Sequence, residues 1–334
     1  MEFTVIGGAG IKATRVGIGT WAMGGSMWGG TDESESVEAI QAGLKKGLNI
    51  IDTAPAYGFG LSEEIVGKAV AAFGREGVYI STKTGVEWRD GNVFRNASGD
   101  RIIQEISDSL RRLKTGHVDI YHVHWPDPLV PVEETAGAMN NLFLQGKIRA
   151  VGVSNFDVEQ MERFRREAPL HTCQLPYNIF ERGAGKDVLP YCKKNGIAVS
   201  ACGVLCHGLL SGKMRPDTIF VGDDLRNRDP RFRQPLFGQY LKAVDELAQL
   251  ARTRYQKSVL ELAVRWALDQ GADIALWGVR HPRQLELAEG TMGWSLDEST
   301  IKAIDEIILR NIPTPQEPEF MAPSPRTPGM AKVF

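Results

Sequence analysis

Short apolar segments alternate with longer amphipathic segments along this chain, and this alternation constrains the fold more than any other feature. The short segments are rich in Val and Ile and apolar at successive positions, as expected of parallel strands that helices cover on both faces. Each strand–helix unit spans roughly 30–40 residues, which is typical of α/β proteins. The eight predicted strands are Arg15–Thr20, Leu48–Thr53, Val78–Lys83, Val118–Trp125, Ile148–Asn155, Thr172–Tyr177, Ile197–Gly203 and Ile274–Val279.

Helical segments separate the predicted strands. Residues Gly203–Gly238 form a long Asp- and Arg-rich insertion of the kind that usually covers a ligand. From Pro313 onward, six prolines predict an extended surface tail. The predicted helices are Glu33–Lys46, Ser62–Phe73, Asp100–Lys114, Val132–Gln145, Asp157–Arg166, Lys186–Asn195, Gly238–Tyr255, Ser258–Asp269, Arg283–Glu289 and Asp297–Leu309.

Two α/β architectures compete, the doubly wound sheet and the barrel. The segment 17–22 formally matches the dinucleotide fingerprint G-x-G-x-x-A, which needs a helix N-terminus straight after its glycines. The Gly-rich segment 23–30 that follows is a poor helix. Polar residues instead follow several strands at their carboxyl ends, where barrel active sites lie. We therefore predict a single (β/α)₈ TIM barrel domain over residues 1–334.

Composition excludes several classes of protein. The chain has 39 basic and 41 acidic residues, and its net charge of −2 gives no electrostatic basis for binding nucleic acid or an anionic membrane. No apolar run approaches the roughly 18–20 residues of a membrane span, and the N-terminus does not resemble a signal peptide. The four cysteines include no Cys-x-x-Cys pair. We expect a cytoplasmic protein of the size of an enzyme.

Four polar side chains are expected to meet at one rim of the barrel. Asp52 ends the second strand and Lys83 the third. His124 ends the fourth strand, while Tyr57 lies in the loop five residues after Asp52. Each residue alone has an ordinary explanation, such as a loop cap, a salt bridge or a buried imidazole. Their convergence on adjacent strand ends favours a catalytic role.

These residue types suit hydride transfer to a carbonyl group. The carbonyl oxygen gains negative charge as the hydride arrives, so it needs a proton donor and a nearby cation. The reference pKa of a tyrosine, about 10, is high for this task at neutral pH, and we expect Lys83 to lower the pKa of Tyr57. Asp52 would hold Lys83 in place, and His124 would orient the carbonyl oxygen. None of these steps needs a metal.

Longer sequence strings around these residues carry a family resemblance. From about residue 3 to 310 the chain resembles the aldo-keto reductase superfamily, and most of all its bacterial branch with the general-stress aldo-keto reductases. The strings are Gly19-Thr20-Trp21, Ile51-Asp52-Thr53-Ala54-Pro55-Ala56-Tyr57-Gly58, Ser81-Thr82-Lys83, Val123-His124-Trp125-Pro126-Asp127, Gly152-Val153-Ser154-Asn155-Phe156 and Gly208-Leu209-Leu210-Ser211-Gly212-Lys213.

The resemblance implies an NADPH-dependent barrel without a Rossmann domain, with long loops that cover cofactor and substrate. Such an enzyme reduces aldehydes or ketones, or in reverse oxidises small polyols such as glycerol. Tyr57 is implied as the general acid/base, with Asp52, Lys83 and His124 completing the tetrad. A cofactor-binding regulatory or redox-sensing subunit on the same fold is the alternative.

The resemblance also implies where NADP(H) binds. Ser154, Asn155 and Gln174 match groups that hold the nicotinamide carboxamide, and Lys213 lies in a loop that opposes phosphate charge. Arg280 would pair with the 2′-phosphate, which favours NADP over NAD. The implied cofactor residues are Thr20, Trp21, Asp52, Ser154, Asn155, Gln174, Cys202, Gly203, Val204, Leu205, Gly208, Lys213, Arg226, Gly278, Arg280 and Gln284.

Some positions depart from the family pattern or have a second explanation. Cys202 stands where an aromatic residue usually stacks on the nicotinamide. Leu287 and Ala288 replace an acidic and amide pair near the adenine. Arg226 either reaches the adenosine end or pairs with an aspartate of its own turn.

The substrate side is expected to have aromatic walls, with Trp21, Tyr57, Trp88, His124 and Trp125 as pocket residues. Such walls suit small aldehydes, α-dicarbonyls, short sugars or polyols. We expect a monomer or a weak oligomer.

The pair His122 and His124 also has the spacing of metal ligands on one strand face. A metal-dependent hydrolase needs further ligands on other strands. The ends of strands five, six and eight offer Ser154, Asn155, Gln174 and Gly278 instead, so we expect no metal.

Overall fold

Eight parallel strands close into a barrel in the computed structural model, which describes residues 1–89, 91–315 and 322–326. Each strand pairs with its neighbours in chain order, and the eighth pairs with the first. The strands are β1 Val16–Gly19, β2 Ile50–Asp52, β3 Tyr79–Thr84, β4 Val118–Val123, β5 Ile148–Ser154, β6 Thr172–Pro176, β7 Ala198–Cys202 and β8 Ile274–Gly278.

Helices surround the barrel and bury their apolar faces against its outer surface. Side-chain caps start several of them: Asp157 and Ser258 each form a capping box with the residue three positions on. The α-helices of the described residues are α1 Glu33–Lys45, α2 Leu61–Phe73, α3 Gly99–Leu113, α4 Val132–Leu144, α5 Val158–Phe164, α6 Val188–Asn195, α7 Leu236–Tyr255, α8 Val259–Asp269 and α9 Glu298–Asn311.

This architecture confirms the predicted (β/α)₈ fold. The doubly wound alternative is wrong, because the residues after Gly19 form a short 3₁₀ helix, Trp21–Gly24, and not an α-helix. The predicted helix over Arg283–Glu289 is also wrong. That segment contains the 3₁₀ turn Pro282–Leu285, and its backbone amides bond three residues back rather than four.

A hairpin that the sequence analysis missed closes the amino end of the barrel. Its strands, Phe3–Ile6 and Ile11–Thr14, pair antiparallel. Ile6 and Ile11 are fully buried and pack among barrel residues such as Ile50. The hairpin therefore fills the end of the barrel that lies opposite the polar strand ends.

A second hairpin, Val86–Arg89 and Asn92–Arg95, follows β3 at the other end of the barrel. Part of the predicted tail, Ser324–Pro325, adds to this hairpin as a short parallel strand. Residues 316–321 and 327–334 of the predicted tail lie outside the described residues. No helix in the described ranges combines the length and the hydrophobicity that crossing a bilayer requires.

Candidate active site

The carboxyl ends of β2, β3 and β4 bring the four predicted catalytic side chains together. The Nζ of Lys83 donates to Asp52 Oδ2 at 2.7 Å and to the Thr53 carbonyl at 2.9 Å. It lies 4.9 Å from the centre of the Tyr57 ring. The rings of Tyr57 and His124 meet edge to face, with centres 5.8 Å apart. An acid, a cation, a phenol and an imidazole thus share one site.

Asp52 is held by three side-chain donors. Besides Lys83, the Ser81 hydroxyl donates to Asp52 Oδ1 at 3.0 Å, and Gln174 Nε2 donates to the same oxygen at 2.8 Å. Asp52 is only 4% exposed, and a buried carboxylate needs such partners to stay charged. Gln174, which the resemblance assigns to the carboxamide, is bonded to Asp52 here.

Burial dominates the acid–base properties of the site. It raises the pKa of Tyr57 to about 12, although the Lys83 cation acts to lower that pKa. Lys83 thus acts on the pKa of Tyr57 in the expected direction, but desolvation outweighs the cation and the pKa of the phenol lies above its ordinary value. Burial together with Lys83 holds the pKa of His124 well below its usual range. The site therefore presents a protonated phenol and a neutral imidazole at neutral pH.

A close backbone contact fixes the loop that carries Tyr57. Gly58 has φ +64°, and a Cβ there would lie 2.0 Å from the Gly24 carbonyl oxygen. A Cβ on Gly24 would in turn lie 2.5 Å from the Tyr57 carbonyl carbon. Only glycines allow this approach. The Tyr57 loop consequently packs directly on the loop that follows β1.

A cavity of about 750 Å³ opens over these strand ends. Asp52, Tyr57 and His124 line one part of it, while Lys83 lies buried behind them. All sixteen implied cofactor residues line the cavity: Thr20, Trp21, Asp52, Ser154, Asn155, Gln174, Cys202, Gly203, Val204, Leu205, Gly208, Lys213, Arg226, Gly278, Arg280 and Gln284.

Three basic side chains, Lys213, Arg226 and Arg280, line the cavity. Among the described residues, neither Lys213 nor Arg280 forms a salt bridge. The Arg280 guanidinium donates to the carbonyls of Trp28 and Gly30, each at 3.1 Å. Burial and the neighbouring Arg226 lower the pKa of Arg280. Cations in such surroundings suit an anionic ligand, so these residues fit a nucleotide with phosphate groups.

Arg226 takes the second of its two expected roles. Its guanidinium donates to both carboxylate oxygens of Asp224, at 2.8 and 2.6 Å. The same group stacks over Phe220, 4.3 Å from the ring centre. Arg226 therefore braces the insertion 203–238 at the cavity wall, and its charge is compensated by Asp224.

Asn155 and Cys202 lie where the barrel strands meet the cavity. Asn155 has φ +60°, which asparagine tolerates better than most residues. Its amide donates to the His124 carbonyl at 3.0 Å and so ties the end of β5 to the end of β4. Burial raises the pKa of the Cys202 thiol to about 12. Cys202 thus presents a small protonated thiol to the cavity.

The aromatic wall differs in part from the expectation. Trp21, Tyr57, His124 and Trp125 line the cavity, but Trp88 does not. The Trp88 ring packs against Phe59, and the aromatic centres are 5.7 Å apart. Trp88 therefore lies outside the cavity lining, against a residue that is part of that lining. The sequence alone does not determine which face of the hairpin strand that carries Trp88 points toward the cavity.

Cavity residues that the sequence analysis missed include Phe59, His207 and Pro323. His207 packs edge to face on Trp21 and Trp28, with ring centres 5.8 and 6.0 Å away. It lies within the loop segment 203–208 that the resemblance implies, and its place within that loop was the available signal. Pro323 belongs to the tail, far along the chain from any motif.

His122 on β4 and His124 directly after it have different surroundings. Both ring nitrogens of His122 are within hydrogen-bond distance of hydroxyl groups, Ser81 Oγ at 3.3 Å and Thr172 Oγ1 at 2.6 Å. His124 instead lines the cavity. The described residues contain no group of three or more His, Cys, Asp or Glu side chains arranged to hold a metal ion.

The chain is similar to known proteins over nearly its whole length. The chain is 56% identical to the aldo-keto reductase YhdN of Bacillus subtilis over 98% of its length and 99% of that protein. It is 33% identical to an NADH-specific methylglyoxal reductase of Escherichia coli, over 92% of this chain and 98% of that protein.

A solved structure of the glycerol dehydrogenase AKR11B4 from Gluconobacter oxydans is also similar. It matches with a TM-score of 0.87 and 49% identity, over 96% of this chain and 99% of that chain. The model of the Aldo/keto reductase family matches residues 15–309. The chain therefore belongs to the aldo/keto reductase family, a family of oxidoreductases that act on carbonyls and alcohols with nicotinamide cofactors.

Proposed function

We propose that this protein reduces small aldehydes and ketones with NADPH, using Tyr57 as the general acid. The observation that carries the proposal is the cluster in which Lys83 joins Asp52 at 2.7 Å and lies 4.9 Å from the Tyr57 ring, at the mouth of a large cavity. The opposite reaction, oxidation of a small polyol, uses the same groups in reverse.

Each residue of the cluster has a defined part in the proposal. When bound, the reduced nicotinamide supplies the hydride. Tyr57 is protonated at neutral pH, because burial raises its pKa to about 12, and so it is ready to donate to the substrate oxygen. Lys83 stabilises the phenolate that remains, and Asp52 keeps Lys83 in place. His124 is neutral and donates a hydrogen bond that orients the carbonyl oxygen.

The choice of NADP(H) rests on the basic side chains of the cavity. Arg280 and Lys213 line it without salt-bridge partners in the described ranges, and a 2′-phosphate gives Arg280 an anionic partner that NAD lacks. The Escherichia coli relative is NADH-specific by its name, so family membership alone does not decide the cofactor. The proposal depends on Arg280.

Aromatic walls and few acidic side chains around the cavity favour a small, uncharged substrate. Trp21 stacks on Tyr57 with ring centres 5.9 Å apart, and Trp125 lies beside His124 in the chain. We propose aldehydes, α-dicarbonyls and glycerol-like polyols as the substrate class, in keeping with the names of the methylglyoxal reductase and the glycerol dehydrogenase among its relatives.

Replacing Tyr57 with Phe tests the proposal. We expect Tyr57→Phe to lower the rate of methylglyoxal reduction about 10²–10⁴-fold, because it removes the proton donor and little else. The affinity for NADPH, measured by quenching of tryptophan fluorescence, should stay near the wild-type value. Absorbance of the reduced nicotinamide follows the reaction.

Tyr79→Phe is the matched control, since Tyr79 begins β3 at the other end of the barrel. It should leave the rate near that of the wild type. Near-normal turnover by Tyr57→Phe would overturn the assignment of the acid. Tight NADPH binding by the wild type without turnover of any aldehyde or polyol would favour the regulatory alternative.

A further inference from the structure

A chain of buried polar side chains lies beneath Asp52 inside the barrel. Ser81, His122 and Thr172 expose only 2%, 1% and 0% of their surface, and none of them lines the cavity. The proposed acid–base chemistry uses none of the three. Polar groups this deep in a barrel interior are costly unless they bond one another.

The three side chains connect strand to strand. Thr172 Oγ1 on β6 lies 2.6 Å from His122 Nε2 on β4. His122 Nδ1 lies 3.3 Å from Ser81 Oγ on β3, and Ser81 Oγ donates to Asp52 Oδ1 on β2 at 3.0 Å. The chain therefore ends on the carboxylate that holds Lys83.

A glycine on β5 makes this connection possible. Gly152 pairs with His122 on one side and with Thr172 on the other. A Cβ at Gly152 would lie 2.3 Å from His122 Cδ2 and 2.7 Å from its Nε2. The imidazole thus occupies the place of the missing side chain and reaches across β5.

Donor counting gives the chain a direction. The Asp52 carboxylate only accepts hydrogen bonds, so the Ser81 hydroxyl must donate its one proton to that carboxylate. Ser81 Oγ must then accept from His122, which requires a proton on Nδ1. Burial lowers the pKa of His122 to about 3, so the ring is neutral and its Nε2 accepts from Thr172.

We infer that Thr172, His122 and Ser81 form a one-way hydrogen-bond chain that positions the Asp52 carboxylate, and through it Lys83, for the chemistry of Tyr57. The inference deepens the proposed function and rests on it for its effect on rate. His122 is a positioning residue: it touches neither the cavity nor Tyr57 in the geometry described above.

The hydrogen-bond chain of Thr172, His122 and Ser81 acts on Tyr57 through charge. Asp52 raises and Lys83 lowers the pKa of Tyr57, and Cys202 also faces the phenol. Asp52, Lys83 and His124 are the charged or titratable groups that face His122. Each donor to Asp52 offsets part of its negative charge, and Lys83 then acts on Tyr57 more fully. Loss of the chain should make the phenolate harder to form.

Nitrogen NMR of the protein labelled with ¹⁵N-histidine tests the direction without any assay of turnover. The protein has six histidines, and the signal that disappears in His122→Leu is that of His122. We expect that signal to show a neutral ring protonated on Nδ1, unchanged down to about pH 5, because free histidine prefers Nε2 and titrates near pH 6.5. In Thr172→Val the preference for Nδ1 should weaken. A His122 ring protonated on Nε2, or one that titrates between pH 5 and 8, overturns the inference.

Kinetics then test the effect on the site. His122→Leu should lower kcat for polyol oxidation about 3–10-fold at every pH, with the affinity for NADP unchanged, since a rise of one pKa unit in the base costs a factor of ten. His122→Gln should recover much of the rate, because an amide also offers one donor and one acceptor.

His171→Leu is the matched control, since His171 is another buried histidine, whose ring accepts from the backbone amide of Val151 and packs on Phe143. It should leave kcat unchanged. Equal rates for wild type and a folded His122→Leu, or equal losses for the Leu and Gln variants, contradict the inference. If the wild type shows no turnover, the proposed function is refuted instead. The NMR result then still tests the direction of the hydrogen-bond chain by itself.

Discussion

At the scale of single residues, the balance of burial and charge around Tyr57 sets the pKa of its phenol. That pKa decides which protonation state is populated at a given pH. In the proposed mechanism, the protonated phenol of Tyr57 serves reduction, whereas oxidation needs its phenolate. Because burial raises the pKa of Tyr57 to about 12, the phenolate is scarce at neutral pH. The two directions should therefore respond differently to pH.

We expect kcat/KM for polyol oxidation to rise with pH, with a logarithmic slope of about one between about pH 7 and 10, because the phenolate fraction increases tenfold per unit below its pKa. Reduction should vary little over the same range. Initial rates in both directions with a stable buffer series measure this. A plateau of the oxidation rate below about pH 9 would show a base with a much lower pKa than Tyr57 has here.

In the proposed function, the preference for NADP over NAD depends on Arg280. We expect Arg280→Ala to weaken NADP binding about 30-fold, equivalent to about 2 kcal/mol for a lost charged contact to phosphate, and NAD binding much less. Fluorescence titration with both cofactors measures the two constants.

The control for that experiment is Arg283→Ala, because Arg283 is exposed in the same segment and does not line the cavity. Its NADP affinity should equal that of the wild type. Equal losses for NADP and NAD in Arg280→Ala would refute the contact with the 2′-phosphate.

At the scale of elements, a buried ion cluster anchors the insertion 203–238 to the barrel. Arg231 is fully buried, donates to Asp229 Oδ2 at 2.7 Å and forms a salt bridge with Glu181 in the loop after β6. Two carboxylates thus depend on one cation. The same cluster contacts His207, whose Nδ1 lies 3.1 Å from Arg231 Nη2, and so reaches the cavity wall.

Arg231→Met should lower the free energy of unfolding by about 3–5 kcal/mol, because it leaves two buried carboxylates without their cation. Urea denaturation measures the change. Arg228→Met is the control, since Arg228 is exposed in the same loop and should cost little. A loss below about 1 kcal/mol in Arg231→Met would mean that the cluster does not anchor the insertion.

Prediction at this scale succeeded where an element has a strong local signal. The barrel strands coincide closely with the predicted segments, because continuous apolar runs between helices are typical of parallel strands that are buried on both faces. The hairpin at the amino end and the strand Ser324–Pro325 gave no such signal. Both are short, and both form through contacts with distant parts of the chain.

At the scale of the whole molecule, barrel closure brings together residues that lie far apart in sequence. Asp52 and Gln174 are 122 positions apart and share a hydrogen bond of 2.8 Å. Arg280 reaches back 250 positions to the Gly30 carbonyl. Single-domain organisation, oligomeric state and cytoplasmic location stay predictions.

The amino-acid sequence by itself determined the (β/α)₈ fold, the family and the set of residues at the strand ends, because strand alternation and residue spacing are local properties. Only the tertiary structure decided which of those residues bond one another. It left Trp88 out of the cavity lining, engaged Gln174 with Asp52, and laid the His122 ring across Gly152. Register between neighbouring strands and burial set these contacts and the acidity of Tyr57, and both arise only when the barrel closes.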